Sequence, residues 1–276
     1  MNYSPPFQLM HDKNTEIQIR QLEMNERKVI EAIKNEDRSK NIQNLDLDRF
    51  AAPFLLRGKK ILQVLCKAAL GWDDPIPEVM QNQWRMQNQW WVSELPLLEK
   101  IQIPRCFKSN TMGEIKKAEL HHFSDASSEG YGHCSYLRLI DKDDKVNCSL
   151  VMGKACVAPL KSVTIPRLEL RAALTSVKVR RMLGSELRYD GVEEVFWTDS
   201  KVVQGYIYNE GRRFHTYVAN RVQQIRDHTN PKQWKYVDTN NNPAKNISLV
   251  TRTGVSMGDT RGVERLRRRA PHVTGR

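Results

Sequence analysis

From residue 118 onward the hydrophobic and polar positions fall into short alternating runs, and these runs predict strands. AELHHFSD is read as a first strand ending at Asp125, and SSEG as a turn. YGHCSYLRLI is a second strand, DKDDK a polar hairpin turn and VNCSLVMGKACVA a third strand. Short links between three strands imply an antiparallel meander. The period then changes to helical in PRLELRAALTSVKVRRMLGSEL, where Leu170, Leu174, Val177 and Leu183 share one face and Pro166 sits in the tolerated first turn. VEEVFWTD reads as a fourth strand ending at Asp199. A short helix over SKVVQGYIYNEG, a longer one over RFHTYVANRVQQIRDHT and a fifth strand over QWKYVDT follow. The order β-β-β-α-β-α-α-β over 118–239 predicts an α/β fold, a five-stranded mixed sheet with helices on both sides.

Upstream the pattern is helical. Residues 16–37 place Ile19, Leu22, Val29 and Ile33 on a narrow stripe, expected of a solvated helix or a short coiled segment. Lys59–Ala69 reads as a buried helix stopped by Gly71, and a further helix over 76–94 carries Trp84, Trp90 and Trp91 as core or interface aromatics. The expected organisation is a charged segment at 1–47, a mainly helical connecting region at 48–117, the sheet domain at 118–244 and a basic tail at 245–276.

Composition narrows the function classes. Of 276 residues, 39% are hydrophobic, enough for a sizeable core, yet the mean hydropathy of -0.61 is strongly polar. No run approaches a membrane span, and the N-terminal pattern is not that of a secretory signal. The five cysteines lack CxxC spacing and are odd in number, which predicts reduced thiols rather than a disulfide frame or zinc site, and a cytoplasmic or nuclear setting. A formal charge of +12 suits a polyanionic partner, although RGVERLRRRAPHVTGR, with Arg265, Arg267, Arg268 and Arg269, holds a disproportionate share of it.

The candidate chemistry lies in three acids at element ends: Asp125, Glu169 and Asp199. If the first and fourth strands run parallel, Asp125 and Asp199 emerge side by side, and the crossing helix brings Glu169 above them. Packed carboxylates repel unless a counter-charge joins them. Magnesium suits hard oxygen ligands, and two such ions hold the attacking water and leaving oxygen of a phosphodiester. Each acid also has a plainer role. Asp125 starts a turn, Glu169 is a favourable charge in the first turn of its helix, and Asp199 caps the next helix. Both readings stand on the pattern alone. Lys201, Arg212 and Arg213 are candidate phosphate contacts or solvated surface. Of His121 and His122, adjacent on a strand, one is expected to be buried and the other exposed.

HHFSDASSEGYG, TIPRLELRAAL, FWTDSKVVQGYI and QWKYVDTNNNPA resemble the ribonuclease H-like region of BEL/Pao-type retrotransposon polyproteins. FAAPFLLRGKKILQVLCKAALGWDDPIP and LPLLEKIQIPRCF resemble the segment joining reverse transcriptase to that region. The resemblance implies a ribonuclease H fold and two-metal hydrolysis, with magnesium or manganese, of the RNA strand of an RNA–DNA hybrid. Asp125, Glu169 and Asp199 then match the first three acidic ligands. The fourth acid, expected directly after Asn-Pro-Ala, is replaced by Lys245, so impaired catalysis is expected; Asp238 is not promoted to the vacant role. The acidic motif of a polymerase is absent, which excludes reverse transcription by this chain alone and suggests a fragment or remnant. The alternatives are a non-catalytic nucleic-acid-binding remnant and a protein-interaction scaffold using the helices at 16–37 and 76–94. An integrase would want its glutamate last, and here it comes second.

Overall fold

The computed structural model describes residues 106–186, 191–209, 211 and 213–245, together with isolated positions between 56 and 89. Predictions for 1–47, Trp84, Trp90, Trp91, Arg212 and the basic tail lie outside the described residues. The chain divides into two compact units, one of Met1–Leu47 and Arg57–Ile103, the other of Asp48–Leu56 and Pro104–Arg276. In the first, the described Lys59, Lys60, Gln63, Val64 and Lys67, and further on Glu78, Gln81, Arg85 and Gln89, are helical.

The second unit holds β1 (Ile115–Ala126), β2 (Gly130–Asp141), β3 (Val146–Val157), α1 (Ile165–Glu186), β4 (Glu193–Thr198), α2 (Lys201–Tyr208), α3 (Thr216–Arg226) and β5 (Trp234–Tyr236). This is the order expected from the periodicity. The five strands form one sheet in the order β3-β2-β1-β4-β5. Pairing is antiparallel through β1–β2 and β2–β3, and parallel through β1–β4 and β4–β5. The sheet is therefore mixed, with β1 at its centre.

The meander is held by local chemistry. Ser127 makes the first turn, its Oγ accepting from the backbone N–H groups of Glu129 and Gly130. Gly130 is required there, because a Cβ would come within 2.8 Å of the Cys156 carbonyl oxygen. The second turn is organised by Asp141, whose carboxylate accepts from the N–H groups of Gly113, Asp143 and Lys145.

One sheet face is covered by α1, α2 and α3. Leu170, Ala173, Leu174 and Val177 of α1 pack with Val203 and Ile207 of α2, Val222 and Ile225 of α3, Phe196 and Trp234. Farther along α1, Val179 and Leu183 meet Leu120, Leu137 and Leu139. Phe196 is stacked between His122, at 4.7 Å, and Trp234, at 4.8 Å, so one aromatic row crosses three strands. The opposite face carries Phe123, Cys134 and Ala155 under Leu56, itself helical, Val237 and Ala244.

Both faces of β1 are thus covered, which corrects the expectation for the histidine pair: His121 and His122 are both buried. His121 accepts a hydrogen bond from Trp197 Nε1 at 3.0 Å on one face, and His122 Nδ1 lies 2.8 Å from Ser135 Oγ on the other. Among the described residues Cys106, Cys134, Cys148 and Cys156 are free thiols, and no helix is long and apolar enough to cross a membrane.

Candidate active site

The parallel register of β1 and β4 sets the geometry of the rim. Ser124 pairs with Thr198, the last pair of that ladder, so Asp125 and Asp199 follow it on neighbouring chains. Adjacent strands lie about 4.8 Å apart. Asp125 is 8% exposed. Its charge helps burial to push the Cys134 thiol up.

Glu169 reaches the same rim from α1. On a helical wheel it lies between Leu168 and Leu170, both buried, so it points toward the sheet end. Burial raises its carboxyl above the ordinary range, the Ser200 hydroxyl opposes that by donating to Glu169 Oε2 at 2.5 Å, and the Asp199 charge raises it further. Glu169 therefore lies within reach of the Asp199 charge. Asp199 Oδ1 is buried and finds no hydrogen-bond partner. An anionic oxygen in that condition is costly unless a cation or donor meets it.

The plainer roles weighed for these acids do not describe them. Asp125 is the penultimate residue of β1, still paired with Gly132, and Ser127 makes the turn. Glu169 is the fifth residue of α1, which has no acid in its first turn, so the helix dipole does not account for it. The cap of α2 is Ser200, whose Oγ accepts from Val203 N–H at 3.2 Å, and not Asp199.

Ser200 was not singled out from the sequence, although its position after TD before a helix is a capping signal. It serves both α2 and Glu169. Ser200→Ala is expected to lower unfolding free energy by about 1 kcal/mol, read by urea titration; an unchanged midpoint would show that the cap is dispensable.

The segment bearing Lys245 is fastened to the rim. Asn242 Nδ2 donates to the Ser124 carbonyl at 3.0 Å, one residue before Asp125. Asn242 Oδ1 accepts from Ala244 N–H, and its carbonyl accepts from Lys245 N–H. Ala244 is buried in the cluster that contains Phe123. Asp238 is used elsewhere, capping the turn Thr239–Asn241 by accepting from Asn240 N–H and Asn241 Nδ2. Of the other basic candidates, Lys201 is exposed with Nζ 5.4 Å from the centre of the Tyr236 ring, and Arg213 is exposed.

The oxygens of Asp125, Glu169 and Asp199 are the hard donors that magnesium or manganese takes, and the unpartnered Asp199 oxygen fits a cation. The three are not drawn into a finished ligand shell: among the described residues no group of three or more His, Cys, Asp or Glu is placed to hold a metal ion.

A five-stranded mixed sheet in the order β3-β2-β1-β4-β5, with helices flanking it and acids at the ends of β1 and β4, defines a ribonuclease H-like fold. The family model for the Pao retrotransposon-like RNaseH-like domain matches residues 38–200, more than half of the chain. The chain belongs to that family. Among curated proteins nothing matches. Among solved structures, the chain is similar to RNase H1 from the halophilic archaeon Halobacterium salinarum NRC-1, at 12% identity over 48% of this chain and 91% of that one, with a TM-score of 0.31. It is also similar to the N-terminal RNase H domain of a Mycobacterium tuberculosis protein, at 13% identity over 48% and 93%, TM-score 0.33. A foamy viral protease-reverse transcriptase in complex with dsDNA overlaps at 11% identity over 68% of this chain and 36% of that one, TM-score 0.28.

Proposed function

We propose that residues 118–244 form a hybrid-directed endonuclease domain, hydrolysing the RNA strand of an RNA–DNA hybrid with magnesium or manganese, and that Lys245 slows it. The observation that supports this reading is the parallel pairing that ends at Ser124 and Thr198, leaving Asp125 and Asp199 adjacent, with Glu169 within reach of the Asp199 charge. Asp125, Glu169 and Asp199 would hold the divalent cation. When bound, such a cation polarises a phosphoryl oxygen and makes the attacking water a better nucleophile. Ser200 orients Glu169, and Asn242 keeps the segment before Lys245 against β1.

Lys245 favours a second reading, hybrid binding without useful cleavage. An ammonium where a fourth acid belongs repels a second divalent ion and donates no lone pair. A hybrid with labelled RNA, incubated with magnesium or manganese, separates the two readings. Slow product from the parent chain and none from Asp125→Asn supports the nuclease. Tight binding without product in either supports the second reading, and equal product from both would place the cutting outside this rim.

A further inference from the structure

Three arginines beside the rim are held in place by tyrosines rather than by acids. The guanidinium carbon of Arg167 stands 5.0 Å from the Tyr217 ring centre, and that of Arg221 stands 3.6 Å from it. Arg221 also donates from Nη1 to the Tyr217 carbonyl at 2.9 Å. Arg171 lies 5.5 Å from the Tyr131 ring centre. The two tyrosines are linked through α1, whose Arg167 stands over Tyr217 of α3 and whose Arg171 stands over Tyr131 of β2. The salt bridges among the described residues pair Lys116, Lys117, Arg138, Lys142, Arg180 and His121 with acids, and none involves Arg167, Arg171 or Arg221.

The helical period places this patch relative to Glu169. Arg167 and Arg171 are four residues apart and share a face of α1, while each is two residues from Glu169, roughly 200° around the helix. Glu169 is on the inner side, so the arginines ride the outer side, separated from the carboxylates by a helix width of about 10 Å. Tyr131 pairs with Ala126, next to Asp125, and extends the patch toward the rim. An aromatic face holds a guanidinium while leaving its N–H edge open, and that planar fork matches phosphate.

We propose that Arg167, Arg171 and Arg221, ordered by Tyr131 and Tyr217, are an auxiliary grip for backbone phosphates other than the one at the carboxylates. The proposal rests on the hybrid-directed reading and adds the surface that positions the nucleic acid. The contact is to the backbone, so it is indifferent to base sequence and strongly salt-dependent.

The test is fluorescence anisotropy of a labelled RNA–DNA hybrid over a range of salt, with the full chain carrying Asp125→Asn to prevent cleavage. Adding Arg167→Gln, Arg171→Gln and Arg221→Gln together should weaken binding and reduce the slope of log K against log salt by roughly 2 to 3. Tyr217→Phe keeps the ring and should keep the slope, whereas Tyr217→Leu removes the ring under Arg167 and Arg221 and should weaken binding. An unaltered slope in the triple variant overturns the grip and leaves the nuclease reading intact. Polyglutamate competing as well as unlabelled hybrid would reassign the surface to an acidic protein and overturn it too. A parent chain without hybrid affinity removes both readings at once.

Discussion

Replacing Lys245 with aspartate will accelerate magnesium-dependent cleavage of an RNA–DNA hybrid by roughly 10²-fold or more. A cation placed to stabilise charge developing on a phosphoryl group is worth several kcal/mol, and each 1.36 kcal/mol is about a factor of ten in rate. The backbone already holds residue 245 at the rim through Asn242, Ala244 and the Ser124 carbonyl, so the change alters charge without demanding a new loop. Lys245→Ala separates the two contributions, since it removes the repulsion and supplies no ligand; its rate should fall between those of the parent chain and Lys245→Asp. The measurement is single-turnover cleavage over a magnesium titration. Equal rates for the parent chain and Lys245→Asp would mean that position 245 does not communicate with the reacting phosphate.

The second large effect is acid lability from two histidines outside the carboxylate set. His122 and His133 are fully buried on the face beneath α1. His122 Nε2 and both ring nitrogens of His133 find no hydrogen-bond partner among protein groups. Burial holds both imidazoles neutral, with His133, His121 and Arg180 adding to the effect on His122, and Lys154 adding to it on His133, which is brought down to about 3. In the unfolded chain each titrates near 6.5. Below that pH the unfolded state takes up protons that the folded state refuses, so stability falls as pH falls through the interval from 6.5 toward 3. Between pH 8 and pH 5 the expected loss from His133 is about 2 kcal/mol, and His122 adds to it in the same direction. Glu119, held low first by its hydrogen bond with His121, adds a loss in the same direction only at lower pH, nearer the ordinary carboxylate range. Urea unfolding at the two pH values measures this. His133→Leu removes two unpartnered nitrogens, should cost little at pH 8, and should remove about 2 kcal/mol of the loss between pH 8 and pH 5. A His133→Leu chain as acid-sensitive as its parent would sink the account.

Much of the sheet domain was legible because periodicity reports burial directly. The switch from the strand run VNCSLVMGKACVA to a 3.6-residue repeat in LELRAALTSV marks where β3 gives way to α1. The acids Asp125 and Asp199 were legible because each stands at a strand end. Their adjacency was conditional on a parallel β1–β4 pairing, a tertiary fact that the ladder from Glu119–Glu193 to Ser124–Thr198 supplies. What could not be read were features that depend on a neighbour distant in sequence. The burial of both His121 and His122 follows from β1 being central, which alternation along one strand does not reveal. The start of α1 at Ile165 rather than Pro166 moved Glu169 out of the first turn, a shift of one residue that decides between a dipole role and an inward-facing one. Ser200 was hidden by Asp199 beside it, since both residue types cap helices. The pairing of Arg167 and Arg221 on Tyr217 joins α1 to α3 and has no trace in local pattern.

The hydrogen bond from Asn242 to the Ser124 carbonyl closes a loop of 118 residues. During synthesis β1, β2, β3 and α1 have left the ribosome long before Asn242 is made, so they can collapse together while the carbonyl beside Asp125 is still bare. The contact waits on β4 and β5, which pair beside β1 and bring Asn242 within reach of Ser124, so it comes late. The carboxylate rim is therefore the final part of the domain to be assembled on a nascent chain, and until residue 242 emerges Asp125 stands at an unfinished edge.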